Sequence, residues 1–296
     1  MLPPQIQDFI TIFLGIFVEA LPFVILGSVV AALFTLFVNE RWLLKIMPKN
    51  RVFSHMLMPL VGVVFPVCEC GNVPVAKRLF YKGLKTSHVL TFLLAAPAFN
   101  PIVFLSTFTA FRATPEVIFF RFILTYLIAV IIGILVSYKK DDSEFLTKSF
   151  AHDVACYVPE KKTTWQRFLS LVLDDFGFMI SGLVIGAIIA SGLQNFTPVN
   201  LLRDLGNNPI LSILVMMTIA FVISICSNVD AFVALSYASR FTTGSVVAFL
   251  VFGPMIDVKS LSMLSRVFSK KFLFSIAVIV FLLIFASTLF LNFYIL

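Results

Sequence analysis

Apolar runs long enough to cross a bilayer, punctuated by short polar or proline-bearing stops, dominate this chain. They fall near residues 8–38, 54–67, 86–111, 117–138, 165–195, 209–226, 243–265 and 272–295. The last, FLFSIAVIVFLLIFASTLFLNFYIL at 272–296, exceeds the ~20 residues that a membrane helix needs. The pattern predicts an all-α, polytopic membrane protein. The first run lacks the basic start of a cleaved signal peptide and is too long for one, so it reads as a permanent span.

One long polar stretch, KKDDSEFLTKSFAHDVACYVPEKKTT at 139–164, divides the runs into a first membrane repeat at 1–138 and a second at 165–296. The halves align. GIFVEALPFVILGSVVAALF matches LVLDDFGFMISGLVIGAIIA, setting Glu19 against Asp174 and Gly27 against Gly182. CGNVPVA matches CSNVDAFVA, setting Asn72 against Asn228 and Pro74 against Asp230. VLTFLLAAPAFNP matches VVAFLVFGPMIDV, setting Pro97 against Pro254 and Asn100 against Asp257. Apolar matches carry no weight in a membrane chain, but acids, Asn and Pro recurring in one order indicate duplication.

Basic residues then choose a topology. If all eight runs cross, Lys and Arg divide 11 to 11 between the two sides. If 54–76 and 209–235 each dip in and return, the split becomes 18 to 4, as the positive-inside rule demands. Each half then crosses three times, an odd number, so the two insert upside down relative to one another. The expectation is two inverted repeats, each of three spans plus a broken, re-entrant helical hairpin. Segments 41–51, 77–85, 139–167 and 259–271 lie inside, and both termini are extracytoplasmic in a plasma-membrane protein.

Composition sharpens this picture. Residues are 60% hydrophobic and only 12% charged, against about a quarter charged in soluble domains. The net charge of +7 reflects inner loops, not nucleic-acid binding. Four cysteines are too few for a disulfide framework, and free thiols are expected.

The chemistry gathers at the dips. Non-helical backbone inside a membrane survives only within protein or along a water-filled cavity. Pro66, Gly71 and Pro74 are expected to interrupt the first dip, and SICSNVDAF to break the second, so the tips should face each other in the interior. Cys68, Glu69, Cys70 and Cys226 would meet there. Thiolates are soft ligands that favour Cu(I), Zn(II) and other thiophiles; the competing reading makes these cysteines ordinary small apolar residues. Glu19 and Asp174 lie deep in apolar runs, where an ionised carboxylate is costly and proton exchange is a usual role. Asp230 and Asp257 are further intramembrane acids, with pairing to a basic neighbour such as Lys259 the structural alternative. PAFNP and PMIDV mark second breaks. Gly27, Gly182, Gly186 and Gly192 suit close helix packing.

CECGNVP followed by LLAAPAFNP resembles the predicted-permease family typified by the YraQ and ArsP proteins. Cys68, Cys70, Gly71, Pro74, Pro97, Asn100 and Pro101 fit its pattern, with a weaker copy around Cys226 and Pro254. The resemblance covers nearly the whole chain. It implies a transporter and export, since the ArsP proteins export trivalent organoarsenicals. Glu69 stands where the arsenical permeases more often carry serine. With Asp230 and Asp257 in the second half, this makes the site more acidic than theirs. The resemblance also suggests a second small membrane protein as partner.

The combined expectation is a secondary-active permease, not an enzyme, needing no cofactor. It would carry a small thiophilic or metal-like solute, such as a metal or metalloid. Substrate would bind Cys68, Glu69, Cys70, Asn72, Asn100, Cys226, Asn228, Asp230 and Asp257, with Cys68, Cys70 and Cys226 as metal-facing thiols. Glu19 and Asp174 would couple protons. The alternatives are a channel or scaffold subunit working with a partner, and an intramembrane thiol enzyme, for which a positioned His or C-x-x-C pair is missing. An oligomer in the bilayer is compatible with either.

Overall fold

A computed structural model of the chain describes residues 4–38, 48, 50–64, 68–139, 144–156, 164–196 and 208–294. The described residues form thirteen helices. They are α1 (Pro4–Phe37), α2 (Arg51–Val64), α3 (Glu69–Tyr81), α4 (Thr86–Ala95), α5 (Pro101–Ala110), α6 (Pro115–Ser137), α7 (Lys148–Ala155), α8 (Thr164–Phe196), α9 (Pro209–Ile223), α10 (Asp230–Tyr237), α11 (Thr243–Met255), α12 (Val258–Leu264) and α13 (Lys270–Tyr294). Setting aside α7, the same succession runs twice: one very long helix, four short ones and a long closing helix. Lengths of 34, 14, 13, 10, 10 and 23 residues are followed by 33, 15, 8, 13, 7 and 25.

Among the described residues, five stretches are long and apolar enough to span a bilayer: Ile6–Phe37, Pro115–Ser137, Trp165–Asn195, Thr243–Leu264 and Lys270–Tyr294. The chain is thus an all-α, multi-pass membrane protein. At 1.5 Å per residue α1 is about 51 Å long, well over the ~30 Å hydrocarbon core, so it must tilt or protrude.

The breaks fall where chain chemistry places them. After α4, residues 96–99 turn, and Asn100 in extended backbone caps α5 by accepting the Ile102 N–H at 2.9 Å, with Pro101 in the first turn. Pro254 lies just before the end of α11, and Asp257 caps α12 in a reciprocal capping box with Ser260. Both second breaks are therefore capped restarts, in which side chains replace lost backbone partners. The first dip differs from expectation. Gly71 and Pro74 lie inside α3 rather than breaking it, while Pro66 lies outside the described residues. Pro74 forgoes only the bond its N–H would make to the Cys70 carbonyl. Gly71 serves packing: a Cβ on Gly27 would sit 2.5 Å from the Gly71 backbone, so α1 and α3 touch backbone to backbone. Gly182 and Gly186 bring α8 close to α12, a Cβ on each standing 3.1 Å from Met263 Cα and 3.0 Å from Lys259 Cα.

The polar stretch between the halves is pinned down where it is described. Thr147 N–H donates to the Val267 carbonyl and Ser269 N–H to Phe145, each at 2.9 Å. Phe150 of α7 is buried edge-on against Phe80 of α3, with ring centroids 5.5 Å apart.

Candidate functional site

The two broken tips meet. At the first, Cys68 in extended backbone leads into α3, whose first turn carries Glu69 and Cys70. At the second, α9 ends on Ser224, the one described non-glycine residue in left-handed backbone (φ 51°), and irregular chain runs to α10. The Cys68 thiol lies beside both Cys226 and Cys70. Ligand atoms of Cys68, Glu69 and Cys70 all lie within 4.8 Å of one another. The three cysteines are free and buried.

Glu69 is the hub. Its Oε2 accepts the Ser227 hydroxyl at 3.0 Å, and its Oε1 accepts the Lys259 ammonium at 3.2 Å. The same ammonium donates to the Ser224 carbonyl at 3.2 Å, so the strained backbone of the second tip supplies the acceptor. Glu69 is 4% and Lys259 1% exposed, which makes this a buried pair that neither partner can leave uncompensated. The structural alternative offered Lys259 as a partner for Asp257 or Asp230; the structure pairs it with Glu69, because α12 lays its first turn beside the tip of α3.

Several predicted polar residues are buried without partners. Asn72, one turn beyond Glu69 on α3, makes no hydrogen bond through either side-chain atom. Asn228 Oδ1, Asn100 Nδ2 and Asp257 Oδ2 are likewise unpartnered. Buried polar atoms are normally satisfied, so orphans that include neighbours of the thiol cluster mark places for water or solute.

Asp230 has a different setting. Arg121 of α6 grips it at two points, Nη2–Oδ2 at 2.7 Å and Nη1–Oδ1 at 3.0 Å, and also reaches Thr107 at 2.9 Å. Arg121 is fully buried, although by sequence it counts as a loop base. Asp174 lies within the Trp165–Asn195 stretch; its side chain is 61% exposed and bonded to Lys77 (2.9 Å) and Arg78 (3.4 Å). Its neighbour Asp175, fully buried, holds the same two bases at 3.1 and 2.8 Å. Lys77 and Arg78, expected in an inner loop, are buried on α3 because these carboxylates receive them. Glu19 is half-buried on α1 and makes no ion pair among the described residues. Every ion pair found among those residues joins the first half to the second.

A cavity of about 610 Å³ opens beside that four-charge cluster, lined in part by Lys77, Arg78, Tyr81, His152, Asp174 and Phe178. It does not reach the thiols. Lys77 lies eight residues beyond Glu69 on α3, about 12 Å along the helix axis. Cys156, on this rim, is exposed and sits 3.7 Å from His152 Nε2.

Comparison with known proteins places these features in context. A family model described as predicted permease matches residues 5–293. The YcgR protein of Bacillus subtilis is 38% identical over 282 residues, covering 94% of this chain and 95% of its own. A Streptococcus mutans protein, named as a candidate subunit of a two-component membrane permease complex, is 34% identical over 275 residues, with 92% and 91% covered. No solved structure matches the chain.

Proposed function

The chain belongs to the predicted-permease family, and from that premise we propose that this membrane permease is secondary-active and exports a small thiophilic or metal-like solute through a site between its two broken tips. The observation that carries the reading is the meeting of Cys68, Glu69 and Cys70 from one tip with Cys226 from the other. Two or three thiols and a carboxylate suit a soft or borderline cation. They fall short of the closed four-ligand set that keeps a structural metal in place, and cargo has to leave again. Asn72, Asn228 and Asn100 supply further polar contacts through their unpartnered atoms. Asp230, held by Arg121, shapes the second tip rather than touching cargo.

Residues 1–138 and 165–296 act as inverted repeats that rock about this site, with both termini outside the cytoplasm. The cluster of Lys77, Arg78, Asp174 and Asp175 separates the site from the cavity beside α7 and acts as the inner gate. Glu19, without an ion-pair partner among the described residues, is the proton carrier; Asp174 belongs to the gate. The Streptococcus mutans relative's name favours a second reading, in which the chain is a scaffold or channel subunit completed by a second small membrane protein.

Purified protein in proteoliposomes tests these readings with cadmium, zinc and a trivalent arsenical as cargo. Saturable accumulation above equilibrium under an imposed proton gradient, lost in Cys70→Ser, supports the carrier. Flux that never saturates or never runs uphill points to a channel. Flux that appears only when a partner is reconstituted points to the two-subunit reading. Indifference of all three cargoes to Cys70→Ser overturns the thiol site.

A further inference from the structure

The site proposed for a cation already contains one. Lys259 places its ammonium on Glu69 Oε1 and on the Ser224 carbonyl, both at 3.2 Å, on the one carboxylate of the cluster that would hold a thiophilic ion. Its backbone is packed closely on α8, since the Lys259 Cα lies 3.0 Å from where a Cβ on Gly186 would stand. The four-carbon stem is the flexible part. Two residues earlier, Asp257 offers an acceptor: its Oδ1 is committed to the Ser260 N–H that it caps, but its Oδ2 is buried and unpartnered. Asp257 and Lys259 also lie within electrostatic reach of one another, although they form no ion pair among those described.

We infer that Lys259 is a tethered stand-in for the cargo, resting on Glu69 when the site is empty and swinging to Asp257 when a metal-like cation takes the Glu69 carboxylate and the thiols. The inference rests on the thiol-site reading and adds the return half of the cycle. An empty site with bare Glu69 would carry an uncompensated buried charge, which is costly to carry through a rearrangement. With Lys259 in place, Glu69 stays paired whether or not cargo is present, so the empty protein can reset. The ammonium remains charged throughout and only changes partners, a role suited to a compact charge on a flexible stem.

The test separates exchange from net transport. Lys259→Met, reconstituted in proteoliposomes, keeps radioactive cadmium exchanging for cadmium but loses net efflux by about tenfold or more, because exchange never visits the empty state. The same variant binds cadmium about tenfold or more tightly, as removal of a competing charge-assisted bond predicts. Lys259→Arg retains the charge and rescues net efflux at least in part. Asp257→Asn, which preserves the helix cap, weakens cadmium binding in the wild-type background but not beside Lys259→Met, whereas a plain ligand role would cost the same in both. Equal loss of exchange and net flux in Lys259→Met, from protein that elutes as a single monodisperse peak, overturns the inference and leaves Lys259 structural. If Lys259→Met does not yield such protein, Lys259→Arg decides: equal loss of exchange and net efflux from monodisperse Lys259→Arg protein overturns it as well. Failure of the thiol site itself is distinguishable, since cadmium binding would then be indifferent to Cys70→Ser in every background.

Discussion

Replacing Arg121 with methionine leaves Asp230 buried beside α6 with no counter-charge. The pair is two-pronged, at 2.7 and 3.0 Å, with side chains 0% and 4% exposed, and Arg121 also ties in Thr107. Breaking a buried pair by removing one partner costs about 3–5 kcal/mol. For a chain of this size that corresponds to roughly 6–10 °C of melting temperature, taking ~2 °C per kcal/mol. Replacing both partners, as in Arg121→Met with Asp230→Leu, removes the stranded charge along with the attraction, and buried pairs treated this way often lose little. The double variant should therefore melt above either single one. Detergent-solubilised protein followed by intrinsic fluorescence on heating, with cadmium binding measured alongside, gives the full cycle. The reasoning fails if the two single losses simply add in the double variant. It also fails if Asp230→Asn melts like the wild type but no longer binds cadmium, which would make Asp230 a ligand after all.

Asp175→Asn strips a fully buried carboxylate from two bases and should cost about 3–5 kcal/mol. Asp174→Asn, at 61% exposure, should cost under about 1 kcal/mol, a contrast that thermal melts resolve. Gly27→Ala puts a methyl 2.5 Å from the Gly71 backbone, where ordinary contact needs about 3.5 Å or more. The helices must part by about 1 Å, and cadmium binding should weaken as the Cys68–Cys70 tip shifts; unchanged binding would show that the tip is not held by this contact. Cysteines introduced at Asn50 and Lys85, both exposed, should label from one side of the membrane only, and opposite-sided labelling would reject the re-entrant hairpin. Glu19→Gln should retain cargo binding yet lose uphill transport driven by a proton gradient, with unchanged accumulation assigning the coupling elsewhere.

Much of the architecture could be read from the chain because membrane folds announce themselves locally. Apolar runs set the long helices, and Pro97–Asn100 and Pro254–Asp257 marked restarts whose capping bonds the structure supplies. Cys68, Glu69, Cys70 and Cys226 stood out because thiols and a carboxylate at a backbone break have few reasons to be there. The charge partners were not legible. Arg121 and Asp230 are separated by 109 positions, and Lys259 and Glu69 by 190, so no local pattern links them. Counting bases by loop assigns each to water, which misplaces Lys77, Arg78, Arg121 and Lys259, all buried. Removing these four leaves the bias between the two sides pointing the same way. Gly71 and Pro74 misled for the opposite reason: both break helices in isolation, but close packing on Gly27 gives Gly71 a use inside one.

That every described ion pair bridges the halves governs how the molecule is made. A ribosome adding about 5–20 residues per second finishes Arg121 roughly 5–20 s before Asp230, which lies 109 positions later. Lys77 and Arg78 likewise wait for Asp174 and Asp175, 97 positions later, and until then these bases lack the acids that neutralise them. The nascent amino-terminal portion therefore depends on the insertion machinery, or on water at its edge, until its counterpart emerges. A product truncated after α6 retains those stranded charges and becomes prey for quality-control proteases, whereas the same fragment synthesised alongside a separate 165–296 chain finds its missing acids and survives.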